Sequence, residues 1–298
     1  MGVTEMTFLN FLISGISLGS IYAIIALGYT MVYGIARMLN FAHGDVIMVG
    51  AYACFYAVYR FRLPGALGVL LAVCACTALG VVVEKLAYKP LRSAPSLAVL
   101  ITAIGMSYFL QNVALLLWGS NPKVFPPVAG SGTMKFFDGQ LTVAHVTLVT
   151  IVTCVVIMTA LTWFVSTTKT GKAMRACSED KAAAQLMGIN VNGTISITFA
   201  IGSGLAAIAG VLLCSAYPTL MPTTGSLPGI KAFTAAVFGG IGSIPGAFVG
   251  GLMLGVIEIF AKAYISTQLS DAVVFAVLII VLLVKPAGLL GRHVQEKV

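Results

Sequence analysis

Charge is what this chain has least of. Asp, Glu, Lys and Arg make up 9% of its 298 residues, where a soluble domain carries about 25%. The scarcity excludes an ordinary soluble globular protein, because 59% of the residues are hydrophobic and mean hydropathy is +1.03. No Gly-x-x-x-x-Gly-Lys-Ser/Thr run occurs, which excludes nucleotide binding by a phosphate loop. The three histidines (His43, His145 and His293) are scattered, and the six cysteines form no Cys-x-x-Cys pair, so metal-type spacing is missing too. Five of those cysteines fall in apolar runs and Cys177 in a basic stretch, and all six are expected to be reduced. The segment Met1–Thr7 has Glu5 and no Lys or Arg, so the first apolar run is expected to be a retained span rather than a cleaved signal.

What is present is a series of long apolar runs, at about 8–34, 41–59, 64–84, 95–118, 143–166, 193–217, 229–264 and 270–290. A span needs about 20 such residues. The run 229–264 is too long for one span and is interrupted at Gly239-Gly240-Ile241-Gly242-Ser243-Ile244-Pro245-Gly246. The reading is a short element, a break and a full helix. The expected fold is an all-α polytopic membrane protein with about eight or nine transmembrane elements, forming a single domain over 1–298. Small-residue pairs (Gly15 with Gly19, Gly246 with Gly250, Gly251 with Gly255) are expected to be helix-packing seams.

Seventeen Lys and Arg against nine acids give a net charge of +8. The cations sit at the edges of the runs, which argues against nucleic acid and for orientation by the positive-inside rule. With 167–192 on the cytoplasmic side and 229–264 crossing twice or nearly so, eleven cations (Arg37, Lys85, Lys89, Arg92, Lys169, Lys172, Arg175, Lys181, Lys285, Arg292 and Lys297) are expected inside. Six (Arg60, Arg62, Lys123, Lys135, Lys231 and Lys262) lie outside, placing the N-terminus out and the C-terminus in. The Pro- and Gly-containing loop 119–141 then faces outward.

Ionisable groups inside a membrane are functional candidates. Glu84 is read as a surface pair with Lys85, and Glu258 as an i,i+4 pair with Lys262 near the outer surface. Asp45 follows Asn40-Phe41-Ala42-His43-Gly44 where a new helix begins. It reads either as a capping carboxylate or as part of a polar route, shared with Asn40 and His43. Gln111 and Asn112 need buried partners or line the same route. The Gly239–Gly246 cluster is either a tight turn or a broken helix whose backbone (Gly239, Gly240, Gly242 and Ser243) lines a conduit.

The one concentrated polar insertion is 167–192. It reads as a short helix with Ser178 as its cap, Glu179 and Asp180 at the positive end of the dipole and Gly188 closing the other end.

These residues carry a family resemblance. Gly28-Tyr29-Thr30-Met31-Val32-Tyr33-Gly34, Leu39-Asn40-Phe41-Ala42-His43-Gly44-Asp45, Met174-Arg175-Ala176-Cys177-Ser178-Glu179-Asp180, Lys231-Ala232-Phe233-Thr234-Ala235-Ala236-Val237 and Gly239 to Ala247 resemble the permeases of branched-chain amino acid ABC importers. The resemblance implies an ABC importer permease fold in a bacterial inner membrane. It further implies a homologous second permease, two cytoplasmic ATPases that hydrolyse ATP with Mg, and a periplasmic amino-acid-binding protein, with no cofactor held by this chain. It also implies that 167–192 contains a coupling helix, with Ala182-Ala183-Ala184-Gln185-Leu186-Met187-Gly188 on a Glu-Ala-Ala-x-x-x-Gly pattern. Ala182 replaces the usual Glu there, so Arg175, Glu179 and Asp180 join Ala182, Ala183, Ala184 and Gly188 as expected contacts to the ATPase. A permease for urea or short amides and an ion-coupled secondary transporter using Asp45 and Glu258 are the competing expectations.

Overall fold

The computed structural model describes residues 3–92, 94–130, 132–136 and 141–291. Arg292, His293 and Lys297, which enter the expectations above, lie outside the described residues. Each apolar run forms helix: α1 (Val3–Ala36), α2 (His43–Tyr59), α3 (Gly65–Val83), α4 (Ser96–Trp118), α5 (His145–Thr167), α8 (Val191–Ala216), α9 (Ser226–Gly239), α10 (Ile244–Tyr264) and α11 (Ser270–Val284). Between α5 and α8 lie two short helices, α6 (Lys169–Glu179) and α7 (Lys181–Leu186). Pro64 and Pro95 stand just ahead of α3 and α4 in extended backbone, ψ 146° and 147°, and set where those helices begin. α3 ends in a π turn (Glu84–Tyr88) and a 3-10 turn (Lys89–Leu91), where Pro90 supplies no N–H to continue the ladder.

Among the described residues, six helical stretches are long and apolar enough to cross a membrane. α2, α9 and α11, with 17, 14 and 15 residues, are shorter. At 1.5 Å per residue they reach about 25, 21 and 22 Å, short of a hydrocarbon core of about 30 Å. The eight or nine expected elements therefore correspond, among the described residues, to six helices of spanning length and three shorter ones, of which α11 is strongly apolar. The loop after α4 holds strands that the sequence reading did not anticipate. Lys123–Val124 (β1) pairs antiparallel with Thr219–Leu220 (β4), and Thr133–Phe136 (β2) with Leu141–Ala144 (β3).

α1, α2 and α8 form the centre, with Ile21 to Leu27, Ile47, Met48, Ala206 and Ala207 all buried. The small-residue pairs lie in seams, as expected. A Cβ on Gly255 would sit 2.1 Å from the backbone N of Gly19, so α1 and α10 touch main chain to main chain. Gly250 and Gly246 likewise face the backbone of α9. α4 and α5 are peripheral: Leu116 and Leu117 are 86% and 68% exposed, and Trp163 is 64% exposed. An apolar surface of that extent needs lipid or another apolar chain to cover it.

The two ends differ. At one, Arg37 Nη2 donates to Ser178 O (3.1 Å), Lys181 Nζ to Ala36 O (2.7 Å) and Arg92 to Asn192. The α9–α10 turn lies there as well, since Gly242 is the neighbour of Gly34 and the amides of Leu289 and Leu290 donate to Phe238 O and Gly239 O. At the other end Phe8 stacks edge-on against Phe260, Phe11 against Tyr264, and Lys123 lies over Phe55 and Tyr56.

Candidate functional site

Two of the short helices begin inside the bundle. His43, the first residue of α2, packs against Gly28, eight residues (36 − 28) before the end of α1. That offset places the start of α2 about 12 Å in from the basic end. The start of α9 meets it there, because a Cβ on Gly225 would lie 1.8 Å from Gly44 O and one on Gly229 2.8 Å from Gly44 Cα. Glycine at 44, 225 and 229 is what lets the two first turns close on each other. The free amides of both N-termini, and the positive ends of both dipoles, are thereby brought to one depth.

Beside this junction Gln111 Nε2, midway along α4, donates to Asp45 Oδ1 (2.9 Å) and has Ser107 Oγ (3.2 Å) and Ser226 Oγ (3.3 Å) within reach of its second hydrogen. Asp45 is 1% exposed and lies in the first turn of α2, where the helix dipole offsets part of the cost of a buried carboxylate. Ala42 holds the N-cap position of α2 and no side chain caps there; Asp45, in the first turn, faces Gln111 across the junction. Asn40 is also buried, but it accepts from the Tyr88 hydroxyl (2.9 Å). His43 packs on Tyr29 at 4.6 Å with the rings tilted by 59°, and its Nε2 is buried and unpaired. The structure thus brings Asp45 and Gln111 together with Ser107 and Ser226, and packs Asn40 and His43 behind them. Asn112 is exposed and donates to Tyr108 O in its own helix, so it needs no buried partner.

Gly239, Gly240, Gly242 and Ser243 lie at the far end of α9, about 20 Å from its start. Gly240 (φ +108°) and Gly242 (φ +93°) adopt conformations few L side chains reach, and Ser243 caps α10 by accepting from Gly246 N (3.2 Å). They form a turn packed against Gly246, Gly288 and Gly291.

The segment 167–192 is built differently from expectation. Instead of one helix there are two, broken at Asp180 (φ −150°, ψ 115°). Ser178 lies inside α6 and donates to Arg175 O (2.7 Å), so it is not the cap. Thr168 caps α6 by accepting from Gly171 N (3.0 Å), and Asp180 caps α7 by accepting from Ala182 N and Ala183 N (2.8 and 3.0 Å). Glu179 therefore falls at the C-terminal end of α6 rather than at a positive dipole end. Gly188 (φ +81°) closes α7 as expected, with Ile189 N donating to Ala184 O (3.0 Å). Met174 and Cys177 bury one face of α6 and Ala184 one face of α7. Arg175, Glu179, Asp180, Ala182 and Ala183 are exposed, and Leu186 and Met187 are 89% and 83% exposed.

Two acids differ from their sequence readings. Glu84 is fully buried and pairs with Arg92, with Ser196 Oγ donating at 2.6 Å; it is not a surface partner of Lys85. Glu258 does pair with Lys262 (2.6 Å), yet it is 1% exposed rather than superficial. It also accepts from Lys231 Nζ and Tyr22 Oη, both at 2.8 Å, and Lys231 reaches Asp271 at 2.6 Å. This network ties α9 to α1, α10 and α11 and lines an open pocket of ≈ 370 Å³. Sequence reasoning missed it, since Lys231 and Glu258 are 27 residues apart.

Six apolar spans, two helices starting within the bundle and a capped amphipathic pair outside it define a multi-pass helical membrane protein. The chain belongs to the family described as "Branched-chain amino acid transport system / permease component", which matches residues 11–282. It is 46% identical over 98% of both chains to the high-affinity branched-chain amino acid transport system permease protein LivH of Salmonella typhimurium. It is 45% identical, again over 98% of both, to BraD of Pseudomonas aeruginosa, described in the same words. A probable branched-chain amino acid transport permease protein LivH of Methanocaldococcus jannaschii is 28% identical over 91% of this chain and 89% of its own.

Proposed function

We propose that residues 1–298 form one transmembrane permease domain of an ATP-driven importer, moving branched-chain amino acids inward across a bacterial inner membrane. The observation that carries the reading is near-full-length similarity to high-affinity branched-chain amino acid permeases. In this reading the solute is delivered by a periplasmic binding protein and crosses beside a homologous second permease. It passes the Asp45–Gln111–Ser226 junction, where helix N-termini suit a carboxylate and Asp45 an ammonium group. Lining by Asn40, His43, Gly239, Gly240, Gly242 and Ser243 belongs to the same proposal. The basic end is cytoplasmic and the termini lie N-out, C-in, supported by Arg37, Lys85, Lys89, Arg92 and the 169–181 cations at that end.

Two cytoplasmic ATPases hydrolyse ATP with Mg, and α7 is their docking element. Leu186 and Met187 offer apolar surface for a groove, with Arg175, Glu179, Asp180, Ala182, Ala183 and Gly188 around them and Ala184 seating the helix. Support comes from the ties behind α7. Lys181 holds the last carbonyl of α1, that of Ala36, and Arg37 holds Ser178, so a displacement of α7 reaches α1 directly. Reconstitution tests the reading. Labelled leucine enters vesicles only with ATP, the ATPases and the binding protein, and urea does not compete. Uptake by this chain alone, abolished by an uncoupler, would overturn it in favour of an ion-coupled transporter.

A further inference from the structure

At the basic end a cleft of ≈ 300 Å³ opens between the end of α1, the link after α3 and the start of α7. Arg37, Arg92 and Lys181 line it, one from each of those segments. Their bonds leave the cleft short of negative charge. Arg92 pairs with Glu84, whose other oxygen is taken by Ser196. The hydrogen bonds of Arg37 and Lys181 go to main-chain carbonyls, which carry no net charge. Asp180 adjoins Lys181 but its Oδ1 caps α7. Arg92 Nε is buried with no acceptor. Arg37 also sits at φ +55°, a left-handed conformation that a non-glycine residue holds at a cost of about 1 kcal/mol. Burial and the neighbouring Arg37 and Arg92 push the Lys181 pKa down, as expected of a cation facing cations.

The remaining wall is apolar: Leu91, Val99 and Leu100 line the cleft, and Leu97 and Ile101 continue outward along α4 at 64% and 61% exposure. We propose that this cleft binds the phosphate of an anionic phospholipid, with Arg37, Arg92 and Lys181 around the headgroup and an acyl chain along the first turns of α4. Basic pockets between membrane helices are suited to such headgroups, whereas a free phosphate would leave the apolar wall unused. The bound lipid would brace α7 against α1 and α4. The proposal needs only the helical membrane fold, so it stands or falls apart from the identity of the solute.

The test uses the full chain in its assembled complex, in nanodiscs of phosphatidylcholine titrated with phosphatidylglycerol, and reads lipid retention by native mass spectrometry. The wild type retains phosphatidylglycerol over phosphatidylcholine. R37Q/K181Q weakens this preference by about thirtyfold, from roughly 1 kcal/mol per cation near the surface, while K172Q at an exposed position on α6 keeps it. Equal retention of both lipids, or equal loss in K172Q, overturns the proposal. Displacement of the lipid by inorganic phosphate at millimolar concentration overturns the lipid as occupant. A photo-crosslinkable phosphatidylglycerol on the unmutated protein guards against misfolded variants. Crosslinks within 33–39 or 91–101 support the site, and crosslinks confined elsewhere overturn it.

Discussion

Replacing Glu258 by Leu removes the hub of the charge network between α1, α9, α10 and α11, and the structure sets what each partner then loses. Lys262 is 34% exposed and can turn to solvent. Lys231 is 7% exposed and cannot, but it retains Asp271 at 2.6 Å. Tyr22 loses its acceptor. Removing one member of a fully buried pair costs about 3–5 kcal/mol, and an orphaned hydroxyl about 1–3. With Asp271 retained by Lys231, the sum for Glu258→Leu falls to about 3 kcal/mol. Lys262→Met costs at most about 1 kcal/mol, because Lys262 has access to solvent and Glu258 keeps Lys231 and Tyr22 as partners. The double change Lys231→Met with Glu258→Leu leaves no lysine stranded, so it destabilises less than Glu258→Leu alone. Five of the six cysteines are buried and free, so a thiol-reactive fluorophore reports unfolding of the purified complex on heating. At about 2 °C per kcal/mol for a chain of this size, Glu258→Leu lowers the midpoint by about 6 °C and Lys262→Met by about 2 °C or less. Equal shifts for these two, or a double variant that is the sum of its parts, would refute the reasoning.

Other outcomes follow from single contacts. Gly255→Leu drives a side chain into the Gly19 main chain and costs at least about 3 kcal/mol, seen as loss of folded protein in the membrane. Asp180→Ala removes the α7 cap for about 1 kcal/mol, lowering ATP-driven uptake with little change in the thermal midpoint. Leu186→Asp with Met187→Asp abolishes uptake and co-purification of the ATPases while leaving membrane insertion intact. Gln111→Ala leaves Asp45 without that donor, and labelled-leucine uptake falls by about five- to hundredfold for roughly 1–3 kcal/mol lost.

The helices were legible because membrane spans announce themselves in bulk: the apolar runs became helices near their expected positions. The glycine seams were equally legible, since small residues at helical spacing carry a single structural meaning in lipid. Side-chain pairing was not. Glu84 stands next to Lys85 but pairs with Arg92, because the π turn after α3 swings the chain back over it. Lys231, expected near an outer helix end, does share a pocket with Thr219 and Thr267, but its partners Glu258 and Asp271 on α10 and α11 are remote in sequence. Asp45 looked like a cap since it opens a helix, while its partner Gln111 is set by the packing of α4, which local sequence does not encode. In 167–192 the end signals were read correctly at Gly188. The break falls at Asp180, whose carboxylate accepts from the two free amides of Ala182 and Ala183, while the Ser178 hydroxyl bonds back to its own helix.

The main-chain seam between α1 and α10 bears on where this molecule can bend. Where Gly19 and Gly255 meet there are no side chains to change rotamer, so the two helices have no second way to pack and behave as one rigid strut. Any alternation between outward- and inward-facing forms must be taken up where long side chains bridge the gap. Those places are the Gln111 bridge to α4, Lys231 reaching from α9, and the arginine and lysine ties beneath α7. The stiffest part of the molecule is thus built from its smallest residues, and its hinges from its longest.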